Sequence, residues 1–117
     1  MPSEEPDSKQ RMFYALAEPT RRGIVELLAT HGQLTATRIY DNFTVSHPAI
    51  SQHLKVLKEA NLVQMEKRAQ RHVYRINTGA MLELEGWAKR IADLWGQRFE
   101  ALDRVLAEEK RKKLRKR

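Results

Sequence analysis

Apolar residues recur at helical spacing through most of the chain and switch to alternation in one short stretch. Ser8 to Ala17 carries a short helical pattern. Glu18-Pro19 then supplies an acidic cap followed by proline at the first helical position, where its missing N–H costs nothing. Ile24, Leu27, Leu28 and His31 continue at helical spacing until Gly32 offers a left-handed stop. Leu34 and Thr35 open a third, shorter helix that reaches about Phe43. Both helices read as buried on one face.

The segment VSHPAISQHLKVLKEANLV is the most informative. Ser46 is a good N-cap, Val45 and Ile50 are spaced as a hydrophobic staple, and Pro48 is tolerated in the first turn, so the pattern predicts a helix over 46–60. Asn61 can take the left-handed conformation that closes it. Alternation then predicts strands at about Leu62 to Lys67 and Arg71 to Asn77, joined by a basic turn through Arg68, Ala69 and Gln70. From Gly79 the pattern is helical again to about Glu108. The expected architecture is mainly α with a small β-hairpin, in the order α-α-α-α-β-β-α. It forms a single domain over 8–108, between a disordered N-terminus (1–7) and a basic disordered tail (109–117).

At 100° per residue, Ala49, Ile50, His53, Leu54, Val56, Leu57 and Ala60 share the inner arc of the 46–60 helix. The outer arc holds His47, Pro48, Ser51, Gln52, Lys55, Lys58 and Glu59. Its first half offers hydroxyl, amide, imidazole and ammonium groups with little apolar bulk, which is what a DNA major groove accepts. In that setting Gln52 would pair with adenine, Ser51 with either partner, and Lys55 with guanine or a phosphate. The same arc also describes an ordinary amphipathic helix with a wet outer face. The order of elements favours the groove: a short helix, a tight turn, a capped helix and then a two-stranded hairpin form a winged helix-turn-helix. The hairpin's tip is basic, with Arg68 and Arg71 flanking the turn, Gln70 within it and Lys67 and Arg75 behind, suited to phosphates or the adjacent minor groove.

Charge changes the picture only once it is divided. The 117 residues carry a net charge of +7. Residues 1–60 hold seven basic and seven acidic side chains, 61–78 four and one, 79–108 four and six, and 109–117 seven and one. Most of the excess therefore sits in EKRKKLRKR, a composition typical of a solvated end. The smaller excess around Lys67 to Arg75 carries more information.

Several functions are excluded. Without cysteine there is no disulfide, thiolate metal site or thiol switch. The N-terminus is polar rather than signal-like, and no apolar run approaches the roughly 18 residues of a membrane span, so a soluble cytoplasmic protein with no membrane partner is expected. The histidines, His31, His47, His53 and His72, form no metal-binding spacing, and His53 on the inner arc reads as a core hydrogen-bonding group. There is no nucleophile elbow, phosphate loop or dinucleotide glycine pattern. Neither an enzyme nor a cofactor is expected.

On the terminal helix (79–108), Met81, Leu84, Trp87, Ile91, Leu94, Trp95, Phe99, Leu102, Val105 and Leu106 spread over about half the circumference. An arc this wide suits burial on both the chain's own domain and a partner, with the tryptophans as anchors. The alternative is a helix folded wholly onto its own core. Leu84, Trp87, Ile91, Leu94, Trp95, Arg98, Phe99 and Leu102 are the expected homodimer contacts. Arg98 falls inside the apolar arc and needs a partner, whether by snorkelling, an intersubunit carboxylate or an anionic effector. Two copies would engage half-sites roughly 34 to 36 Å apart on a palindrome.

The stretches ALAEPTRRGIVELL, QLTATRI, SHPAISQHLKVLKEANLV and the hairpin ending YRI give a sequence that resembles the ArsR/SmtB family over about residues 12–108. The resemblance implies a dimeric repressor that blocks an operator on double-stranded DNA and is released by a signal, which admits a small-molecule effector. It also implies that His47, Pro48, Ser51, Gln52 and Lys55 face the groove and that Arg68 to Arg71 form the wing tip. Metal-sensing members carry two cysteines where this chain has Thr35 and Thr37, poor ligands for thiophilic metals. The other family metal site needs histidine on the last helix, and none follows Thr78. Asn61 and Gln70 stand where the family commonly has glycine. Two further readings share the winged helix: a protein-interaction module, and a nonspecific architectural DNA-binding protein.

Overall fold

The first four helices each start on a side chain that satisfies one of the N–H groups a helix leaves open. In the computed structural model, which describes residues 7–115, Asp7 caps α1 (Ser8–Leu16), its Oδ1 accepting from the Gln10 N–H at 2.7 Å. Glu18 caps α2 (Pro19–His31) by accepting from the Arg21 N–H at 2.9 Å. Thr35 caps α3 (Ala36–Asp41) and Ser46 caps α4 (His47–Glu59), each hydroxyl accepting at 3.3 Å. Gly32, at φ 84°, follows α2, and Asn61 turns the chain after α4 at φ 64°. Asparagine replaces glycine there because it tolerates the left-handed region.

Three strands form one antiparallel sheet in the order β1-β3-β2: β1 (Gln33–Thr35), β2 (Val63–Arg68) and β3 (Arg71–Ile76). The hairpin is the expected one, displaced by a residue at three of its four strand ends. β1 is an addition to the expected element order, lying against β3 with Leu34 opposite Tyr74. Three residues carry no readable period, and this strand exists by pairing with β3. The positive φ of the hairpin turn falls on Ala69 (φ 55°) rather than on Gln70, the position where the resembled family commonly has glycine. The register puts Leu34, Val63, Met65, Tyr74 and Ile76 on one face, and Gln64, Glu66 and Arg68 with Arg71 and Arg75 on the other.

The chain parts into two units, the first ending at Leu82 and the second beginning at Glu83, where a single domain over 8–108 was expected. In the first unit Met12, Ile24, Leu28, Ile39, Ile50, Leu54, Leu57, Leu62 and Val63 are fully buried. Each removes a side chain from water at a gain of about 1.5–3 kcal/mol. The second unit is the greater part of α5 (Thr78–Arg115). α5 runs on through residues expected as a disordered tail: Lys, Arg, Glu and Leu are good helix formers, cations suit a helix C-terminus, and Lys112 reaches Glu109 at 3.8 Å. The rest of that tail, residues 116–117, and residues 1–6 of the expected disordered N-terminus lie outside the described residues, while Asp7 belongs to the α1 cap. Among the described residues no helix is long and apolar enough to cross a membrane.

Candidate nucleic-acid interface

Helix α4 is anchored from beneath by Ile50, Leu54 and Leu57, all at 2% exposure or less, so its opposite face is turned outward by default. His47, Pro48, Ser51, Gln52 and Lys55 are all exposed there. Pro48 sits in the first turn after the Ser46 cap. Gln52 and Lys55 make no side-chain hydrogen bond or ion pair among the described residues. His47 and Ser51 are different. The Tyr40 ring of α3 stacks on the His47 imidazole with centroids 4.5 Å apart and planes 14° apart, and its hydroxyl lies 2.9 Å from Ser51 Oγ.

The approach of α3 to α4 is fixed by apolar contact. Ile39 is fully buried, and Phe43, in the connection, reaches to 3.1 Å from where a Cβ on Gly23 of α2 would stand, so a side chain there would oblige the ring to give by a few tenths of an ångström. Behind α4, Arg21 is 9% exposed and ties three elements together. Its Nε donates to Ala15 O at 2.6 Å and Nη2 to Tyr14 O at 3.2 Å, closing the last turn of α1. Nη1 donates to His53 Nδ1 at 3.3 Å, so that nitrogen accepts and the ring is the hydrogen-bonding group its inner-arc position predicts. Glu18 Oε2 lies 3.7 Å from the same nitrogen. Burial raises the Glu18 carboxyl, but the Arg21 N–H, His53, the Thr20 hydroxyl and the Arg21 charge together bring it below the usual 4.5.

In the wing the basic groups divide into two kinds. Glu66 on β2 accepts from Arg68 at 3.1 Å and from Arg75 at 3.5 Å, and Arg75 Nε also donates to Gln64 at 3.1 Å. The Arg68 hydrogen bond and charge, with Arg75 adding to them, hold the Glu66 carboxyl below 4.5. Lys67, Gln70 and Arg71 are exposed with no such side-chain partner among the described residues. The structure thus separates the expected contacts into Lys67 and Arg71, which are free, and Arg68, which is engaged. Sequence reasoning missed Glu66, although an acidic residue alternating with cations along a strand is a visible signal. It also missed Arg21 and Tyr40, whose roles depend on contacts across the fold.

On α5, Trp87, Ile91, Leu94, Trp95, Phe99 and Leu102 are exposed and Leu84 is half-buried. Trp95 and Phe99 meet at 5.8 Å, and the Arg98 guanidinium lies over the Trp95 ring at 6.0 Å, so a cation–π contact is the partner this arginine has within its own helix. Thr35, at one of the positions where relatives of this kind place a metal-binding cysteine, spends its hydroxyl on capping α3. No group of three His, Asp or Glu side chains able to hold a metal occurs among the described residues.

Comparison with known proteins agrees with this geometry. A family model described as bacterial regulatory protein, arsR family, matches residues 18–65. The transcriptional repressor SdpR of Bacillus subtilis is 37% identical over 76 residues, spanning 65% of this chain and 83% of that one. The HTH-type transcriptional regulator Rv2034 of Mycobacterium tuberculosis is 46% identical over 77 residues, 66% of this chain and 71% of its own. Among solved structures, an ArsR-like transcriptional regulator from Rhodococcus sp. RHA1 superposes with a TM-score of 0.71 at 26% identity, over 84% and 92% of the two chains. The homodimeric winged helix-turn-helix DNA-binding domain Mb0332 from Mycobacterium bovis does so at 0.60 and 25%, over 79% and 91%. With helix, wing and relatives in agreement, the chain belongs to the ArsR family of bacterial regulatory proteins.

Proposed function

We propose that this chain is a sequence-specific transcriptional repressor that binds a palindromic operator as a homodimer. The observation that carries the reading is the outward row His47, Pro48, Ser51, Gln52 and Lys55 on a sharply capped helix, followed at once by a wing with Lys67 and Arg71 unengaged. Gln52 offers the donor-acceptor pair that suits adenine, and Lys55 suits guanine or a phosphate. Lys67, Gln70 and Arg71 contact the backbone beside the recognition helix, with Arg68 joining when it leaves Glu66. Repression is supported by the named relatives, which include SdpR and the arsenical resistance operon repressor of Escherichia coli, 34% identical over 83 residues.

Dimerisation through Leu84, Trp87, Ile91, Leu94, Trp95, Arg98, Phe99 and Leu102 is supported by the exposed apolar face of α5 and by the homodimeric Mb0332 domain. An exposed face this apolar favours a partner, and two copies double the base pairs one small domain can read. A regulator works where the chromosome is, which in a bacterium is the cytoplasm.

Selection of bound fragments from random duplex DNA by the purified protein tests the reading. A two-fold symmetric motif is expected, with half-sites roughly 34–36 Å apart. Affinity falls with log salt at a slope of about −0.9 per phosphate contact. Gln52→Ala relaxes base preference, whereas Arg71→Ala weakens all sequences alike. A monomer at micromolar concentration that binds no duplex would overturn the proposal. Binding that separates best from random sites by less than about tenfold would leave only nonspecific coating of DNA.

A further inference from the structure

Two of the five groove-facing side chains of α4 are held by a residue of another helix. Tyr40 stacks on His47 at 4.5 Å and meets Ser51 Oγ at 2.9 Å. We infer that Tyr40, although it lies outside the recognition helix, is a positioning residue for operator specificity: it sets the orientation in which Ser51 and His47 are presented to the bases. The inference rests on the DNA-binding reading and adds a determinant to it.

A serine on a helix surface ordinarily samples several χ1 wells, and its hydroxyl proton rotates freely. The bond to the Tyr40 hydroxyl selects one well and commits one of the hydroxyl's three hydrogen-bonding directions. The remaining directions then point one way, so Ser51 discriminates between base edges instead of accepting any. His47 is treated similarly. A near-parallel stack fixes the plane of the imidazole while leaving both ring nitrogens at its edge, and neither makes a hydrogen bond among the described residues. Tyr40 is itself well anchored. Its neighbour Ile39 is fully buried, the short α3 is capped by Thr35, and the Asn42 side chain donates to Arg38 O at 2.8 Å at its end. On the wing side Tyr74 of β3 is its neighbour: burial first, and Tyr40 second, raise the Tyr74 phenol. The tyrosine thus joins α3 to the reading end of α4.

A ring that only filled space would need no hydroxyl, and phenylalanine would serve as well. A hydroxyl that only touched a phosphate would strengthen binding to every sequence equally. A positioning role differs from both, because it moves preference at particular base pairs.

The test uses the full-length protein as wild type, Tyr40→Phe, Ser51→Ala, the double variant Tyr40→Phe/Ser51→Ala, His47→Ala and Tyr40→Leu. Each is taken through selection on random duplex DNA, followed by affinity measurement on the best site, its single-base variants and a random duplex. Tyr40→Phe keeps the stack and loses the hydroxyl. It should relax the same base pair that Ser51→Ala relaxes, by about five- to tenfold in discrimination, the order expected of one side-chain contact to a base. Its affinity for random duplex should stay within about twofold of wild type, because phosphate contacts are untouched. The double variant should be no worse than Ser51→Ala alone. Tyr40→Leu should in addition relax the position that His47→Ala relaxes, and should move the His47 ring-proton resonances downfield as the shielding phenol is lost. If Tyr40→Phe lowers stability, the Ser51→Ala arm still removes the same bond from its other end.

An unchanged motif in Tyr40→Phe, a uniform loss on all sequences, or strict additivity with Ser51→Ala would each overturn the inference while leaving DNA binding intact. A wild type that enriches no motif would overturn the DNA reading and this inference with it.

Discussion

Similar apolar side chains meet opposite fates in the two halves of this molecule. In the unit ending at Leu82, nine large hydrophobic residues are sealed from solvent, drawn from α1, α2, α3, α4 and the start of β2. In the unit beginning at Glu83, Leu94 is 59% exposed, Trp95 55%, Phe99 59% and Leu102 52%. The first unit has used most of its large hydrophobic groups on itself. The second has kept them, and an isolated helix derives most of its stability from packing an apolar face. Under the proposed function the difference corresponds to separate tasks: the first unit holds a reading surface in shape, and the second offers a face to another molecule.

Mutations at corresponding apolar positions should therefore fail in different ways, and the largest effect belongs to the first unit. Leu54, 2% exposed beneath the outward side of α4, leaves a cavity when cut to alanine. Leu54→Ala should cost about 2–5 kcal/mol in urea-induced unfolding and weaken DNA binding with it. On α5, Trp95→Ala should barely alter the fold of the first unit but shift the dimer toward monomer, with about 2 kcal/mol or more lost from association. Sedimentation across a concentration series reads this directly. A Trp95→Ala protein that stays dimeric at nanomolar concentration would remove the contrast between the two units.

The contrast also explains what could be read from sequence. The four capped helices and the hairpin were legible because their determinants are local: Ser46 and Glu18 at caps, Asn61 at a stop, and apolar residues at period 3.6 or 2. β1 was not legible, since Gln33–Thr35 is a strand only because Val73–Arg75 lies beside it. The end of α5 was misjudged because dense positive charge suggests a solvated tail, whereas helix propensity and a favourable dipole keep it helical through Arg115. The outward face of α4 followed from a helical wheel, which reports direction and nothing of partners. Hence Gln52 and Lys55 face outward as expected, while the hold of Tyr40 on Ser51 and of Glu66 on Arg68 and Arg75 had to await the fold.

Inside the first unit, Arg21 sharpens the comparison, because it is a charge that serves packing. Its guanidinium supplies hydrogen bonds to Ala15 O and to Tyr14 O, which also accepts the Ala17 N–H, in the last turn of α1, and reaches His53 on α4. Arg21→Met keeps the bulk and removes the donors. It should cost about 1–3 kcal/mol, with Arg21→Lys recovering only part because one ammonium cannot span three acceptors. The capping carboxylate nearby sets a pH dependence. Glu18 is held below 4.5 in the folded chain, so its contribution is present above about pH 4.5 and is lost as pH falls through the lower folded value. Glu66 shares that direction. Between pH 6 and pH 3 the urea midpoint of wild type should therefore fall more steeply than that of Glu18→Gln/Glu66→Gln. Parallel curves would mean that neither carboxylate is coupled to folding.

The smallest expected effect lies at the wing tip, where the first unit tolerates a local defect. Arg68 and Arg71 are paired across the turn, so Ala69 and Gln70 form a two-residue hairpin loop, and Ala69 carries the positive φ of 55°. A residue with a Cβ sits there at a cost of about 1–2 kcal/mol relative to its preferred region. Glycine removes that cost but loosens the unfolded chain by about 0.4–1 kcal/mol, so Ala69→Gly should stabilise by no more than about 1 kcal/mol. Ala69→Val must reverse the sign, because a β-branched side chain fits a positive φ worse than alanine does. Neither change touches Lys67 or Arg71, so affinity for random duplex DNA should hold while amide exchange in the hairpin slows for Gly and quickens for Val. If Val proved neutral and Gly destabilising, the strain would lie elsewhere, and the wing tip would have to adopt a different turn from the one that now spaces its two free cations.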